Sequence, residues 1–189
     1  MHSKWIFNQI ESLKIRKKIN LLDFASGNGR NSIPLSKKNI LVTAIDKDQK
    51  KLDKYTSFKN INTICFDLET NEEWPLIKEY YDVIIVVNYL YRPKIKKLIN
   101  LLKKDGFLFY ETFSQGNEKY GSPKNPNFLL KNRELLDIFS NELLTLNFYE
   151  GKINCKNISV KQMAGFKKGV FEKTPSLLKM KFNLINSSL

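Results

Sequence analysis

The segment Leu21-Leu22-Asp23-Phe24-Ala25-Ser26-Gly27-Asn28-Gly29-Arg30 constrains the fold of this chain more than any other. A short apolar run ends in an acid and two glycines spaced G-x-G, and a polar segment able to start a helix follows. That order describes a strand that stops, turns tightly and enters a helix whose first N–H groups face the strand end. Glycines suit such a turn because it calls for φ > 0 and lets a ligand approach bare backbone. A second apolar run, Ile40-Leu41-Val42-Thr43-Ala44-Ile45, closes on Asp46. An acid at the tip of the neighbouring strand suits the two hydroxyls of a ribose. A glycine turn alone is equally at home in an α/β protein without a ligand. The two acids tip the balance toward a nucleoside-bearing cofactor.

The same alternation continues along the chain. Ile6, Ile10 and Leu13 recur at helical spacing, which predicts a short amphipathic N-terminal helix beside or over the cofactor site. Strand one is expected over residues 20–25 and a helix over 31–38, with Pro34 tolerated in its first turn. Strand two spans 40–45, a helix 48–58 and strand three 62–66. Trp74-Pro75-Leu76 is expected to open a short helix. Strand four, Asp82 to Val87, is apolar after its first residue, as a central parallel strand covered on both faces requires. Ile95, Leu98, Ile99 and Leu102 define helix four. Asp105-Gly106 then turns the chain into strand five at Phe107–Tyr110. A Gly-, Asn- and Pro-rich stretch from Ser114 to Pro126 is long enough to serve as a lid. Asn132 is expected to cap a helix carrying Leu135, Ile138 and Phe139. Two last runs, 143–149 and 158–166, read as a β-hairpin turning at Gly151-Lys152. The whole predicts an α/β, doubly wound, mostly parallel sheet with a C-terminal antiparallel hairpin. It forms one domain over residues 1–168, of which 1–19 is the N-terminal piece. Residues 169–189 are a tail of unassigned role.

The 189 residues suffice for one core. The longest apolar run, Val83 to Val87, is far short of a membrane span, and the first residues lack a signal-peptide apolar region. Cys65 and Cys155 lie far apart without metal-ligand spacing. Cys65, inside Ile64-Cys65-Phe66, reads as a small core residue, and a reduced cytoplasm is the simple inference. The 32 basic against 19 acidic residues give a net charge of +13, which by itself points to nucleic acid. Only Arg16, Arg30, Arg92 and Arg133 are arginines, however, and the lysines are scattered as on a solvated surface. Nucleic acid is therefore a partner the composition permits but does not favour.

The acid beside the turn decides between cofactors. A dinucleotide fingerprint reads G-x-G-x-x-G, but here Ser32 takes the third position and Asp23 would repel a pyrophosphate. A carboxylate suits a ligand that is cationic there, as the amino and sulfonium groups of S-adenosylmethionine are. The run Asp23-x-Ala25-x-Gly27-x-Gly29 resembles motif I of the class I S-adenosylmethionine-dependent methyltransferases. Asn88-Tyr89-Leu90-Tyr91-Arg92-Pro93, Tyr110-Glu111-Thr112-Phe113 and Asn125-Pro126-x-Phe128-Leu129-Leu130 resemble segments of the small bacterial tellurite-resistance-like members. The resemblance runs from about Ser3 to Tyr149. Ser26 stands where that pattern usually has cysteine. The resemblance implies a seven-stranded Rossmann-like methyltransferase fold with the last strand inserted antiparallel beside the fifth.

It also implies roles along the carboxyl rim of the sheet. Ala25, Gly27, Asn28, Gly29 and Arg30 form the turn that lines the methionine part of the cofactor, with Asp23 nearby. Asp46 accepts the ribose hydroxyls, and Lys47 flanks the adenine. Asp67 accepts the adenine amine or merely caps a loop. Leu68 packs on the ring, and Asn88 marks where the reactive methyl points or is a simple turn residue. Methyl transfer is an in-line displacement that relies on alignment, worth roughly 7–11 kcal/mol, and no residue declares itself as a base. Tyr89, Tyr91, Tyr110 and Glu111 are candidates for the acceptor side, unless the tyrosines only pack. His2 is the single histidine, so neither a histidine base nor a metal centre is expected. The segment after strand four lacks the paired prolines used to methylate nucleobase amines, and no Pro-Cys pair exists to attack a pyrimidine. The leading expectation is methyl transfer to a small-molecule acceptor, soft or anionic. An RNA or protein methyltransferase using the basic surface, a non-catalytic cofactor-binding module, and a nucleotide-sugar or NAD enzyme are the alternatives. Oligomeric state and the identity of the acceptor lie beyond the sequence.

Overall fold

Seven strands form one sheet in the order β3-β2-β1-β4-β5-β7-β6 in the computed structural model, which describes residues 2–155 and 157–169. The strands are β1 (Ile19–Phe24), β2 (Ile40–Asp46), β3 (Ile61–Cys65), β4 (Tyr81–Val87), β5 (Leu102–Phe113), β6 (Leu144–Cys155) and β7 (Asn157–Lys167). The first five pair in parallel, and β7 enters antiparallel between β5 and β6. This is the expected doubly wound sheet with its seventh strand beside the fifth. Strand order reverses between β1 and β4, so the crevice that such a sheet offers a ligand opens at their carboxyl ends.

Side-chain alternation along the central strands sorts the core onto two faces. Leu21, Val83, Ile85 and Val87 join Ile6, Ile10, Leu35 and Leu52 from α1 (Lys4–Ser12), α2 (Ser32–Ser36) and α3 (Gln49–Leu52). Leu22, Phe24, Ile84 and Val86 face the other way, onto Leu98, Ile99, Leu135 and Phe139 of α4 (Leu98–Leu101) and α5 (Glu134–Phe139). Strand β4 is apolar at every position after Asp82 because both its faces are covered.

Several local expectations are corrected. Trp74-Pro75-Leu76 forms no helix. Instead the Trp74 indole donates to the Leu68 carbonyl at 3.1 Å and packs edge-on to Phe24, which holds the segment irregular. Helix three stops at Leu52 and continues only as turns to Ser57. Helix four begins as a 3-10 stretch, Arg92–Lys97, with Pro93 in its first turn. Asp105-Gly106 is not a turn ahead of β5 but a bulge inside it, where the register shifts between Tyr81 and Val83. Asp105 takes φ +62 there. Asn132 does not cap α5, whose N-cap is Arg133 in the left-handed region; the Glu134 carboxylate accepts the Lys131 N–H instead, at 2.7 Å. Gly151 and Lys152 lie within β6, paired with Lys161 and Val160, and the hairpin closes near residue 156. Cys65 is exposed at the edge strand, because β3 has a neighbour on one side only. The tail residues Leu177, Leu178, Met180 and Phe182 lie outside the described residues.

Candidate active site

The turn after β1 is a run of left-handed backbone: Ala25, Gly27 and Gly29 have φ of +58, +56 and +68. Glycine takes this conformation freely, and at Gly29 a side chain would have no room. A Cβ there would come within 2.8 Å of the Tyr55 ring, whereas one at Gly27 would meet nothing within 4 Å. Tyr55 lies in the turns after α3 and is fully buried. Its hydroxyl is 2.8 Å from Ser26 Oγ and donates to the Gly27 carbonyl at 3.0 Å. Burial, foremost, pushes its phenol up to about 12. The sequence reading missed Tyr55; its only signal was a large side chain three residues after the buried Leu52. Ser26, in the position where cysteine is usual, keeps the turn tied to this hydroxyl.

Asp23 lies beneath the turn, 1% exposed, and accepts a 2.6 Å bond from Ser32 Oγ. Desolvation raises its carboxyl to about 6, against the lowering influence of Ser32 and of the Arg30 charge. Ser32, which broke the dinucleotide pattern, thus satisfies the buried acid. Asp46 at the tip of β2 accepts from the backbone N–H of Gly27 at 2.8 Å and of Asp48 at 3.0 Å, one on each oxygen. A carboxylate offers about four acceptor sites, so half its capacity remains.

Two clefts flank the turn: Ala25 and Asp46 line the first and Arg30 the second, while Asp23, Gly27, Asn28, Gly29 and Asn88 line neither. The first, of about 260 Å³, is lined by Ala25, Asp46, Lys47, Asp67, Leu68 and Tyr89. Lys47 stands 3.9 Å from Asp67. The Tyr89 hydroxyl is buried without a hydrogen-bond partner among the described residues, the ring packing against Phe24. Burial raises the Tyr89 phenol above its ordinary range. Tyr91 does not line this cleft, but its hydroxyl donates at 3.0 Å to the carbonyl of Glu69, which does. The buried Tyr110 donates to the Tyr89 carbonyl at 2.8 Å, so it braces the rim and does not face a ligand. Asn28 is exposed and accepts from Lys54 at 3.1 Å.

The second cleft, of about 430 Å³, contains Ser3, Trp5, Arg30, Glu111, Lys161 and Met163 among its lining. Glu111, at the carboxyl end of β5, pairs with Lys161 Nζ at 2.5 Å and accepts a bond from Ser3 Oγ. Lys161 also donates to Asn88 Oδ1 at 2.8 Å, which joins β7 to the residue that ends β4 at φ +57. Lys161 carried no signal in the sequence, being one lysine among many on a hairpin strand. A further concavity, about 540 Å³, lies at the opposite rim beside Ile19, Val83 and Gly106. That end of a parallel sheet is not where such folds hold ligands. Among the described residues no group of three His, Cys, Asp or Glu side chains is arranged for a metal ion, and no helix is long and apolar enough to cross a membrane.

The family model for the tellurite resistance protein TehB matches residues 2–147. No curated protein matches the chain. Among solved structures, TehB from Haemophilus influenzae superposes with a TM-score of 0.69 at 20% identity, covering 89% of this chain and 62% of that one. This chain therefore spans less than two thirds of that TehB. A TehB-like SAM-dependent methyltransferase from Corynebacterium glutamicum gives a TM-score of 0.62 at 19% identity, covering 85% of each chain. A SAM-dependent methyltransferase from Methanosarcina mazei gives 0.67 at 14%, covering 85% of this chain and 97% of the other. With the glycine turn, the two acids and the β5-β7-β6 edge in place, the chain has the class I S-adenosylmethionine-dependent methyltransferase fold and belongs to the TehB family.

Proposed function

We propose that this protein transfers a methyl group from S-adenosylmethionine to a small-molecule acceptor by in-line displacement. The carrying observation is the pairing of a buried acid beneath a left-handed glycine turn with a second acid across it on β2. The residues fit the cofactor on two counts. Asp46 retains acceptor capacity after its two backbone bonds, and Leu68 and Tyr89 give the smaller cleft an apolar wall beside Asp67. In this reading Asp46 binds the ribose, Leu68 and Tyr89 cover the base, and Asp67 with Lys47 frames its edge. Ala25 to Gly29 line the methionine part, with Asp23 as the negative charge nearby, whereas Arg30, at the end of the turn, lines the second cleft.

The cofactor supplies an electrophilic methyl on a sulfonium. The chain's own contribution is alignment and exclusion of water. Asn88 follows β4 at φ +57 and is fixed by Lys161, which lines the second cleft. Helix α1 borders the acceptor side through Lys4, Trp5 and Asn8, whereas the segment from Ser114 to Pro126 packs on β7 at Val160 and lines neither cleft. Tyr89 keeps its phenol proton at neutral pH, so it acts as packing and donor and not as a base.

Replacing Asp46 by Ala is expected to weaken S-adenosylmethionine binding by tenfold or more, since each hydrogen bond to a charged group is worth about 1.5–3 kcal/mol. Asp46→Asn keeps one acceptor oxygen for the turn and is expected to weaken binding less. Calorimetric titration of both variants decides the role: affinities equal to that of the unaltered protein remove Asp46 from the site.

A further inference from the structure

The second cleft has a chemistry that the cofactor does not use. Lys4, Arg30 and Lys161 contribute three positive charges to it, and Glu111 the only carboxylate. Each Glu111 oxygen is engaged, one by the Lys161 ammonium and one by Ser3, so this carboxylate is neutralised as part of an ion pair. Two of the three Lys161 protons go to Glu111 and Asn88, and its ammonium lies 4.9 Å from the Phe113 ring centroid. Arg30 is exposed and, among the described residues, makes no hydrogen bond or ion pair. Its guanidinium offers a planar fork suited to a carboxylate. Trp5 from α1, with Ile153 and Met163 from the terminal hairpin, gives the cleft apolar wall, interrupted by the polar His2, Asn8 and Ser159. At about 430 Å³ the cleft falls in the range of sites for organic ligands of moderate size, far more room than a bare inorganic ion needs.

We propose that this cleft binds the methyl acceptor and selects an organic anion, a carboxylate on an apolar body, which Arg30 and Lys161 hold while Trp5, Ile153 and Met163 cover the rest. The inference rests on the methyltransferase reading and names the acceptor class within it. An anionic acceptor arrives with its lone pair exposed. The methyl–sulfur bond breaks as the bond from a carboxylate oxygen of the acceptor to the methyl forms, giving a methyl ester; the sulfur keeps the electron pair, and no proton need be removed. This reaction needs no general base. Trp5, Arg30 and Glu111 lie within the stretch that the family model matches, whereas Ile153, Lys161 and Met163 lie beyond it.

The test is equilibrium binding of phenylacetate, followed by Trp fluorescence and calorimetry, with and without S-adenosylhomocysteine. Its neutral counterpart phenylethanol and inorganic phosphate serve as controls. Phenylacetate is expected to bind about tenfold or more tighter than either control, and Arg30→Gln to abolish that preference. A Lys161→Met, Glu111→Gln double variant removes the buried pair together and is expected to do the same. Equal affinity for phenylethanol, tighter binding of phosphate, or phenylacetate binding unchanged in both variants overturns the proposal. Failure of S-adenosylhomocysteine to bind while carboxylate selectivity survives overturns the cofactor reading and leaves the anion site standing.

Discussion

Asp23 shows how a single residue carries information that its neighbours then make physical. Its place four residues before Gly27 separated a cationic ligand from a pyrophosphate, and Ser32 in the third glycine's place argued the same way. The structure links the two observations through a 2.6 Å hydrogen bond. What no local pattern reveals is that the acid is buried and held near 6 mainly by desolvation. That has a consequence for stability. The folded carboxyl binds its proton more tightly than the unfolded one, so the folded state gains from this group at low pH. The gain is lost as pH rises from about 4 to about 6. A gap of about two units corresponds to about 3 kcal/mol. Asp23→Asn retains an acceptor for Ser32 and removes the titration. Between pH 4 and 7 the stability of the variant relative to the unaltered protein is expected to rise by roughly 3 kcal/mol, measured by urea unfolding at each pH. A constant difference across that window would place the ionised acid in a better solvated site than the structure gives it.

At the scale of elements, legibility followed periodicity. The five parallel strands were readable because β4 is apolar on both faces and because each strand tip carries a polar or glycine signal. The hairpin turn was misplaced because Gly151 looks like a turn residue, yet it lies inside β6, where a Cβ would come within 3.0 Å of the Tyr149 hydroxyl, and pairs with Lys161. The short helix at Trp74 failed because a tertiary bond from its indole overrides local propensity. Helix α1 was legible in its apolar face, Ile6 and Ile10 being fully buried, but its anchoring was not. Ser3 caps the helix by accepting the Ile6 N–H at 3.2 Å, donates its hydroxyl to Glu111, and gives its own N–H to Asn31 at 3.0 Å. One side chain and one amide therefore tie α1 to the turn helix and to β5. Ser3→Ala loses the cap and the Glu111 bond but keeps the amide contact. The expected cost is about 1 kcal/mol, seen as roughly fivefold faster hydrogen exchange in α1 with β4 amides unchanged. Uniform acceleration across α1 and β4 would mean that the helix has no local opening of its own.

For the molecule as a whole the dominant fact is a net charge of +13. Nine ion pairs occur among the described residues, and in most of them at least one partner is substantially exposed. Exposed pairs contribute little, about 0–1 kcal/mol each, whereas unbalanced charge repels over the whole surface and opposes the compact state. Salt weakens both, but the long-range repulsion is screened first: the Debye length falls from about 30 Å at 0.01 M to about 8 Å at 0.15 M. Lys161 and Glu111 pair at 12% and 8% exposure, so the one buried pair near the site is little affected. Raising sodium chloride across that range is therefore expected to raise the melting temperature. A protein held together by its surface pairs would instead melt earlier as salt is added. The same titration bears on the basic surface. If the lysines dock RNA, RNA binding should weaken along a steep linear slope of log affinity against log salt, with about −0.9 per phosphate contacted on duplex and about −0.7 on single strands. If they are a solvated face, that slope is shallow while the protein itself becomes more stable. A rising melting temperature together with a shallow slope is the outcome a small-molecule methyltransferase with scattered lysines requires.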